Sequence, residues 1–146
     1  MTGRIVVGNR DRFIAYTNGR GKESVRGLVV TGDLGHFDRK GRLYVDGRED
    51  DMIVSGGENV YPIEVEELLG RHQDVAEAVV IGYPDDRFGQ ALKAFVILKP
   101  NGTADPDALR QFVRDRLARY KVPRIVEIVD DLPRNATGKV LRRSLT

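Results

Sequence analysis

Apolar positions in the first third of the chain come in short clustered runs, which predicts strands and turns there and no helix before Pro62. Ile5, Val6 and Val7 lie between Gly3 and Gly8 and form a short strand. Residues 9–26 are rich in Gly, Arg, Asn and Asp, with Phe13, Ile14 and Tyr16 as their evident anchors, so an irregular surface segment is expected. Residues 27–35, GLVVTGDLG, return to an apolar run and then turn where Asp33 follows Gly32. A further turn falls at residues 38–41, and Leu43, Tyr44 and Val45 form the next strand. Together these pieces predict part of a small antiparallel sheet.

After Pro62 the pattern changes. Val65, Leu68 and Leu69 recur on one side of a helix whose other side carries Glu66, Glu67 and Arg71. Residues 75–83 and 91–98 are rich in β-branched side chains and of strand length, with the turn-like PDDRFGQ between them, and they can pair. Asp105 and Pro106 give a cap and a first turn; Leu109, Phe112, Val113 and Leu117 form the apolar face of a second helix ending near Tyr120, before Pro123. Residues 125–129 are a third strand, residues 133–139 a polar loop, and residues 140–143 at most one helical turn. The order helix, strand, strand, helix, strand predicts an α+β fold, a small mixed sheet with flanking helices, preceded by a few β-strands.

Composition narrows the chemistry. A chain of 146 residues holds one domain, or one domain carrying a piece of another, and 32% charged with 40% hydrophobic residues is a globular balance. Net charge is only +2, the basic residues are spread out and no aromatic residues interleave them, which argues against nucleic acid as a partner, Arg142 and Arg143 included. With no cysteine there is no disulfide, zinc-thiolate site or thiol nucleophile. His36 and His72 lack partners at metal-ligand or triad spacing, so no metal site is assigned. No stretch is long and apolar enough for a transmembrane segment, and a cytoplasmic location is expected, with peripheral membrane association left open.

Two stretches carry candidate chemistry. Residues 47–66, GREDDMIVSGGENVYPIEVE, place a charged turn, a short apolar strand, the bare pair Gly56 and Gly57, and a proline-started helix with Glu64, Glu66 and Glu67 near its positive end. Residues 47–51 contain no apolar side chain and lie between the two textures, either a hinge or a fixed turn. In residues 133–139, PRNATGK, Lys139 follows Gly138 and is available to a phosphate or carboxylate. Pro133 and Val140 rule out a P-loop, which needs Gly and Ser or Thr there. Each stretch on its own also fits an ordinary connection or a solvated lysine.

Taken together, TGDLG at residues 31–35, the stretch from Gly47, YKVPR at residues 120–124 and PRNATGK occur in the order and spacing of the last sequence blocks of the adenylate-forming enzymes. The chain resembles the C-terminal portion of an acyl-CoA synthetase, a fatty-acid–CoA ligase. Such enzymes use ATP and Mg2+ to convert a carboxylic acid, here expected to be a fatty acid, into an acyl-adenylate, then pass the acyl group to coenzyme A and release AMP. The resemblance implies that Asp33 and Arg48 bind the nucleotide, that Asp50 is the hinge, that Lys139 is catalytic, and that Gly56 and Gly57 form the loop beside the coenzyme A tunnel. Some family members carry arginine where Glu58 stands, so no role is assigned to Glu58. The Ser/Thr/Gly-rich phosphate loop and the acyl pocket belong to a large N-terminal domain, which would also hold most of the ATP and Mg2+. The expected layout is therefore the tail of that domain in residues 1–46, a hinge in 47–51 and the mobile C-terminal domain in 52–146, inactive as a fragment. The alternative is a stand-alone, non-catalytic interaction module.

Overall fold

The computed structural model describes residues 2–8 and 23–146. Of the irregular segment expected at residues 9–26, residues 9–22 with Phe13, Ile14 and Tyr16 lie outside the described part. The chain divides into two compact units, Met1–Asp50 and Asp51–Thr146.

The first unit is built on one long strand. β1 (Gly3–Val7), β2 (Ser24–Val25), β3 (Leu28–Phe37) and β4 (Leu43–Arg48) form a four-stranded antiparallel sheet in which β3 pairs with all the others. The turn expected at Asp33 is not there: β3 continues through it. Gly32 takes a positive φ of 83° inside the strand, and Asp33 pairs with Arg48 on β4, so the irregularity is absorbed without breaking the ladder.

In the second unit, β5 (Ile53–Ser55) and β6 (Glu58–Val60) form a hairpin, followed by α1 (Pro62–Gly70). β7 (Val75–Asp85) and β8 (Gly89–Leu98) pair antiparallel along their length, then come α2 (Pro106–Arg114) and β9 (Ile125–Ile128), which runs parallel to β8. β5 joins β8 at Ser55 and Gly89, completing a mixed five-stranded sheet in the expected α+β arrangement. β6 was not expected, because only Val60 in it is a buried apolar residue. α2 stops at Arg114, earlier than its periodicity suggests. The chain must turn back within a few residues to reach β9; it does so through a 3-10 turn at Arg119–Lys121 and the buried Pro123, after which Arg124 N–H donates to Leu92 O at 2.9 Å.

β8 is covered on both faces. Leu92, Ala94 and Val96 pack with Val65 and Leu69 of α1 and Leu109 and Val113 of α2, while Phe95 points the other way with Val79 and Leu132, covered by Val129, Val140 and Leu145. This accounts for the unbroken apolar run of β8, the pattern of a strand buried on both sides. Asp105 caps α2 through Ala108 N at 2.8 Å, and Pro62 and Pro106 occupy first-turn positions where no amide partner is lost. No helix among the described residues is long and apolar enough to cross a membrane.

Leu69 is fully buried against this core. Leu69→Ala is expected to cost about 2–5 kcal/mol by cavity formation, read as a lower denaturant midpoint with unchanged slope.

Candidate functional site

In the first unit, Arg48 Nη1 donates to Asp33 Oδ1 at 3.2 Å across the β3–β4 pair, and Arg48 Nη2 lies 3.7 Å from the Asp50 carboxylate. Thr31 of the same TGDLG run braces the strand: its hydroxyl donates to Ile5 O at 3.0 Å and accepts from Asp33 N at 3.1 Å. With side chains 33% and 48% exposed, the Asp33–Arg48 pair falls in the class worth at most about 1 kcal/mol, so either partner can turn to a ligand at little cost. Sequence reasoning missed Arg4, whose Nε and Nη2 both donate to Glu49 Oε1 at 2.9 and 2.8 Å. That bond, with the Glu49 charge, raises the Arg4 pKa above its ordinary value.

In the second unit, Gly56 and Gly57 are the two central residues of the β5–β6 turn, with φ of 61° and 86°. Positive φ at both positions is the hairpin geometry that glycine serves best. Gly56 N–H donates to Phe88 O at 2.9 Å, and a Cβ at Gly56 would come 3.0 Å from the Phe88 ring, whereas one at Gly57 would meet open space. The ring of Phe88 carries two guanidinium groups, Arg124 at 4.3 Å and Arg87 at 5.2 Å from its centroid, and Arg124 also donates to Asp85 at 3.2 Å. A bare turn thus adjoins a cationic aromatic platform, which residue spacing alone did not reveal.

The lysine loop is tied at its base by an Arg134–Val140 bridge and by Leu141 N–H donating to Pro133 O at 2.8 Å. Inside it, Asn135 Oδ1 accepts from Thr137 N at 3.0 Å, Thr137 Oγ1 at 2.8 Å and Lys139 N at 2.8 Å, while Asn135 N–H donates to Lys139 O at 2.9 Å. The backbone of Lys139 is pinned, yet its ammonium makes no hydrogen bond or ion pair with any described residue. Arg134 anchors the loop to β7 through Glu77 at 2.5 Å.

Arg142, given no role by the sequence, meets Glu66 of α1 in a two-pronged contact at 2.6 and 2.9 Å and lies 3.7 Å from Asp51. The bond to Glu66 is the main cause that holds its pKa above the ordinary value for arginine. Among the described residues no group of three or more acidic or histidine side chains is placed to hold a metal ion.

Residues 64–139 match the family described as AMP-binding enzyme C-terminal domain, and the chain belongs to that family. It is 54% identical over 119 residues to the 2-succinylbenzoate–CoA ligase of Geobacillus kaustophilus, covering 82% of this chain and 24% of that protein. To the long-chain-fatty-acid–CoA ligase of Bacillus subtilis it is 48% identical over 119 residues, covering 82% and 21%. Among solved structures, the o-succinylbenzoate CoA synthetase of Bacillus subtilis in complex with its acyl-adenylate intermediate superposes with a TM-score of 0.90 at 39% identity, covering 100% of this chain and 30% of that one. The chain spans about a quarter of the length of the curated relatives it matches.

The turn geometry sets a measurable difference. Gly56→Ala and Gly57→Ala should each lose about 1–2 kcal/mol from positive φ, and Gly56→Ala should lose more because of the Phe88 ring. Equal melting temperatures for the two variants would contradict the packing of Phe88 under the turn.

Proposed function

We propose that this chain works as the C-terminal module of an ATP-dependent acid–CoA ligase, alternating between adenylation and thioester formation. The observation that carries the reading is the pinned loop with an ammonium at Lys139 that has no partner among the described residues, inside the family-matched residues. In the first half-reaction a carboxylate oxygen attacks the α-phosphorus of ATP and pyrophosphate leaves. Negative charge gathers on the α-phosphate and the carboxylate, and Lys139 offsets it there. Asp33, an acceptor through both oxygens, takes the two ribose hydroxyls, and Arg48 faces the ribose and phosphate region. In the second half-reaction the coenzyme A thiolate adds to the acyl carbonyl and AMP departs. The side-chain-free turn at Gly56 and Gly57 leaves room for the pantetheine arm, and Arg87 and Arg124 beside it suit a carrier rich in phosphate. Adenylate-forming CoA ligases use ATP, Mg2+ and coenzyme A as a class.

The acid itself is read elsewhere than in these loops. A fatty acid and 2-succinylbenzoate are the two substrates to try first, since relatives are named for each. Residues 1–46 are proposed as the tail of the large domain, 47–51 as the hinge and 52–146 as the mobile domain. In support, Glu49 is tied to Arg4 and Asp51 lies near Arg142, while the Asp50 side chain between them is 70% exposed. A change of arrangement needs a few backbone dihedrals to turn between fixed bodies, and Asp50 is placed for that.

The test is a fusion of this chain to the preceding three quarters of the Geobacillus relative. The chain alone should release no pyrophosphate from ATP with either acid, because Asp33 and Lys139 are too few contacts to immobilise two substrates. The fusion should release it. Lys139→Ala in the fusion should cripple adenylation about a hundredfold or more yet spare thioester formation from supplied acyl-adenylate. A folded fusion that makes no acyl-adenylate would instead favour a non-catalytic interaction module.

Asp50 lies in a 3-10 turn at Glu49–Asp51, whose φ range admits proline. Asp50→Pro in the fusion should keep pyrophosphate release and slow transfer to coenzyme A. An unchanged ratio of the two rates, at an unaltered melting temperature, would place the pivot elsewhere.

A further inference from the structure

We propose that Arg142 is a positioning residue for Lys139, a role that rests on the reading of Lys139 given above. Arg142 lies three residues beyond the lysine in a 3-10 turn, Arg142–Ser144, flanked by Val140 and Leu145, which pack on the sheet. Its guanidinium Nη1 donates to Glu66 Oε1 at 2.6 Å and to Val80 O at 2.8 Å, and Nη2 donates to Glu66 Oε2 at 2.9 Å. Glu66 Oε1 in turn accepts from Val80 N–H at 2.7 Å. β7 has a ladder partner on one side, β8, so the amide and carbonyl of Val80 on its outer edge are both satisfied by this ion pair. Asp51 Oδ2 completes the cluster 3.7 Å from Nε.

α1, β7 and the first residue of the second unit therefore converge on one side chain from the segment that carries the lysine. Only a planar fork can serve both oxygens of Glu66 and the Val80 carbonyl together. The side chains of Glu66 and Arg142 are 13% and 30% exposed, so removing one leaves a mostly buried charge and one backbone group of Val80, its carbonyl or its amide, without a partner. On the near side of the loop, Leu132 is buried and Arg134 grips Glu77. Arg142 supplies the far anchor, so the Lys139 backbone is fixed from both ends. A displacement of about 1 Å in a catalytic group costs on the order of a hundredfold in rate, which sets what this anchor is worth to adenylation.

Two measurements test this. In the 146-residue chain, Arg142→Gln should speed amide hydrogen exchange about tenfold at Gly138 and Leu141, whose N–H groups close the loop, the worth of one hydrogen bond. Amides of α2 and β8 should keep their protection. In the fusion enzyme, with 2-succinylbenzoate as the acid, Arg142→Gln should lower kcat for ATP–pyrophosphate exchange about a hundredfold. KM for ATP and thioester formation from supplied 2-succinylbenzoyl-adenylate should not change. Arg142→Lys should recover part of the rate, and adding Glu66→Gln to Arg142→Gln should cost little more, as expected for two members of one cluster. Unchanged exchange at Gly138 and Leu141 overturns the proposal, and so does an equal loss in both half-reactions together with a lower melting temperature, which marks a purely structural role. Lys139→Ala in the same fusion separates the two levels: if it leaves adenylation intact, the reading of the lysine falls. If it abolishes adenylation while Arg142→Gln does nothing, only the positioning role falls.

Discussion

Burial of β8 on both faces is the constraint from which the rest of the second unit follows. One face is closed by α1 and α2, and the other by a segment with little regular structure, residues 129–145, whose Leu132, Val140 and Leu145 complete the second cluster. An apolar side chain of this size contributes about 1.5–3 kcal/mol when fully buried, so Leu132 alone makes this segment part of the core. The lysine loop is an excursion from that cover, entered and left through residues that the sheet holds. A flexible side chain is thereby presented on a rigid base.

Charges are used in the same economical way. The acids at 49 and 51 have arginine partners from distant parts of the chain, each within its own unit, and among the described residues the acid between them has one long contact, to Arg48. The contacts at the Asp33–Arg48 pair are similarly loose and exposed, while those at Glu66–Arg142 are short and largely buried. The loose pairs leave their side chains able to exchange partners, whereas the tight pair holds the backbone of Val80. The distinction follows from solvent exposure, which decides whether an ion pair can be exchanged for a ligand contact at low cost.

Much of this was legible in the sequence, and the misses have physical causes. β7 and β8 announce themselves as β-branched runs, and α1 by its proline and apolar spacing. β6 was hidden because an edge strand reading Glu58-Asn59-Val60 has almost no apolar content, although the Gly-Gly pair after an apolar run was a hairpin signal that could have found it. The strand through Asp33 reads as a turn because glycine normally marks one, and only its two flanking ladders keep the chain extended. Of the candidate site residues, Asp33 and Arg48 stood out only as members of recognisable blocks, while Gly56, Gly57 and Lys139 drew attention on their own but gained an assigned role only from the blocks. The roles of Glu66 and Arg142 were beyond reach, because 76 positions separate the partners and no local pattern links them.

The cover formed by residues 129–145 also bears on how the polypeptide is made. Every strand of the second sheet precedes this segment, so on the ribosome the sheet emerges with Val79 and Phe95 still bare on one side. A chain halted before Lys139 lacks both that lysine and the Val140 and Leu145 contacts that hide this surface. Exposed apolar strands of that kind are what chaperones and proteases act on. Placing Lys139 within the segment that covers this face of the sheet thus ties the presence of that lysine to completed folding of the second unit.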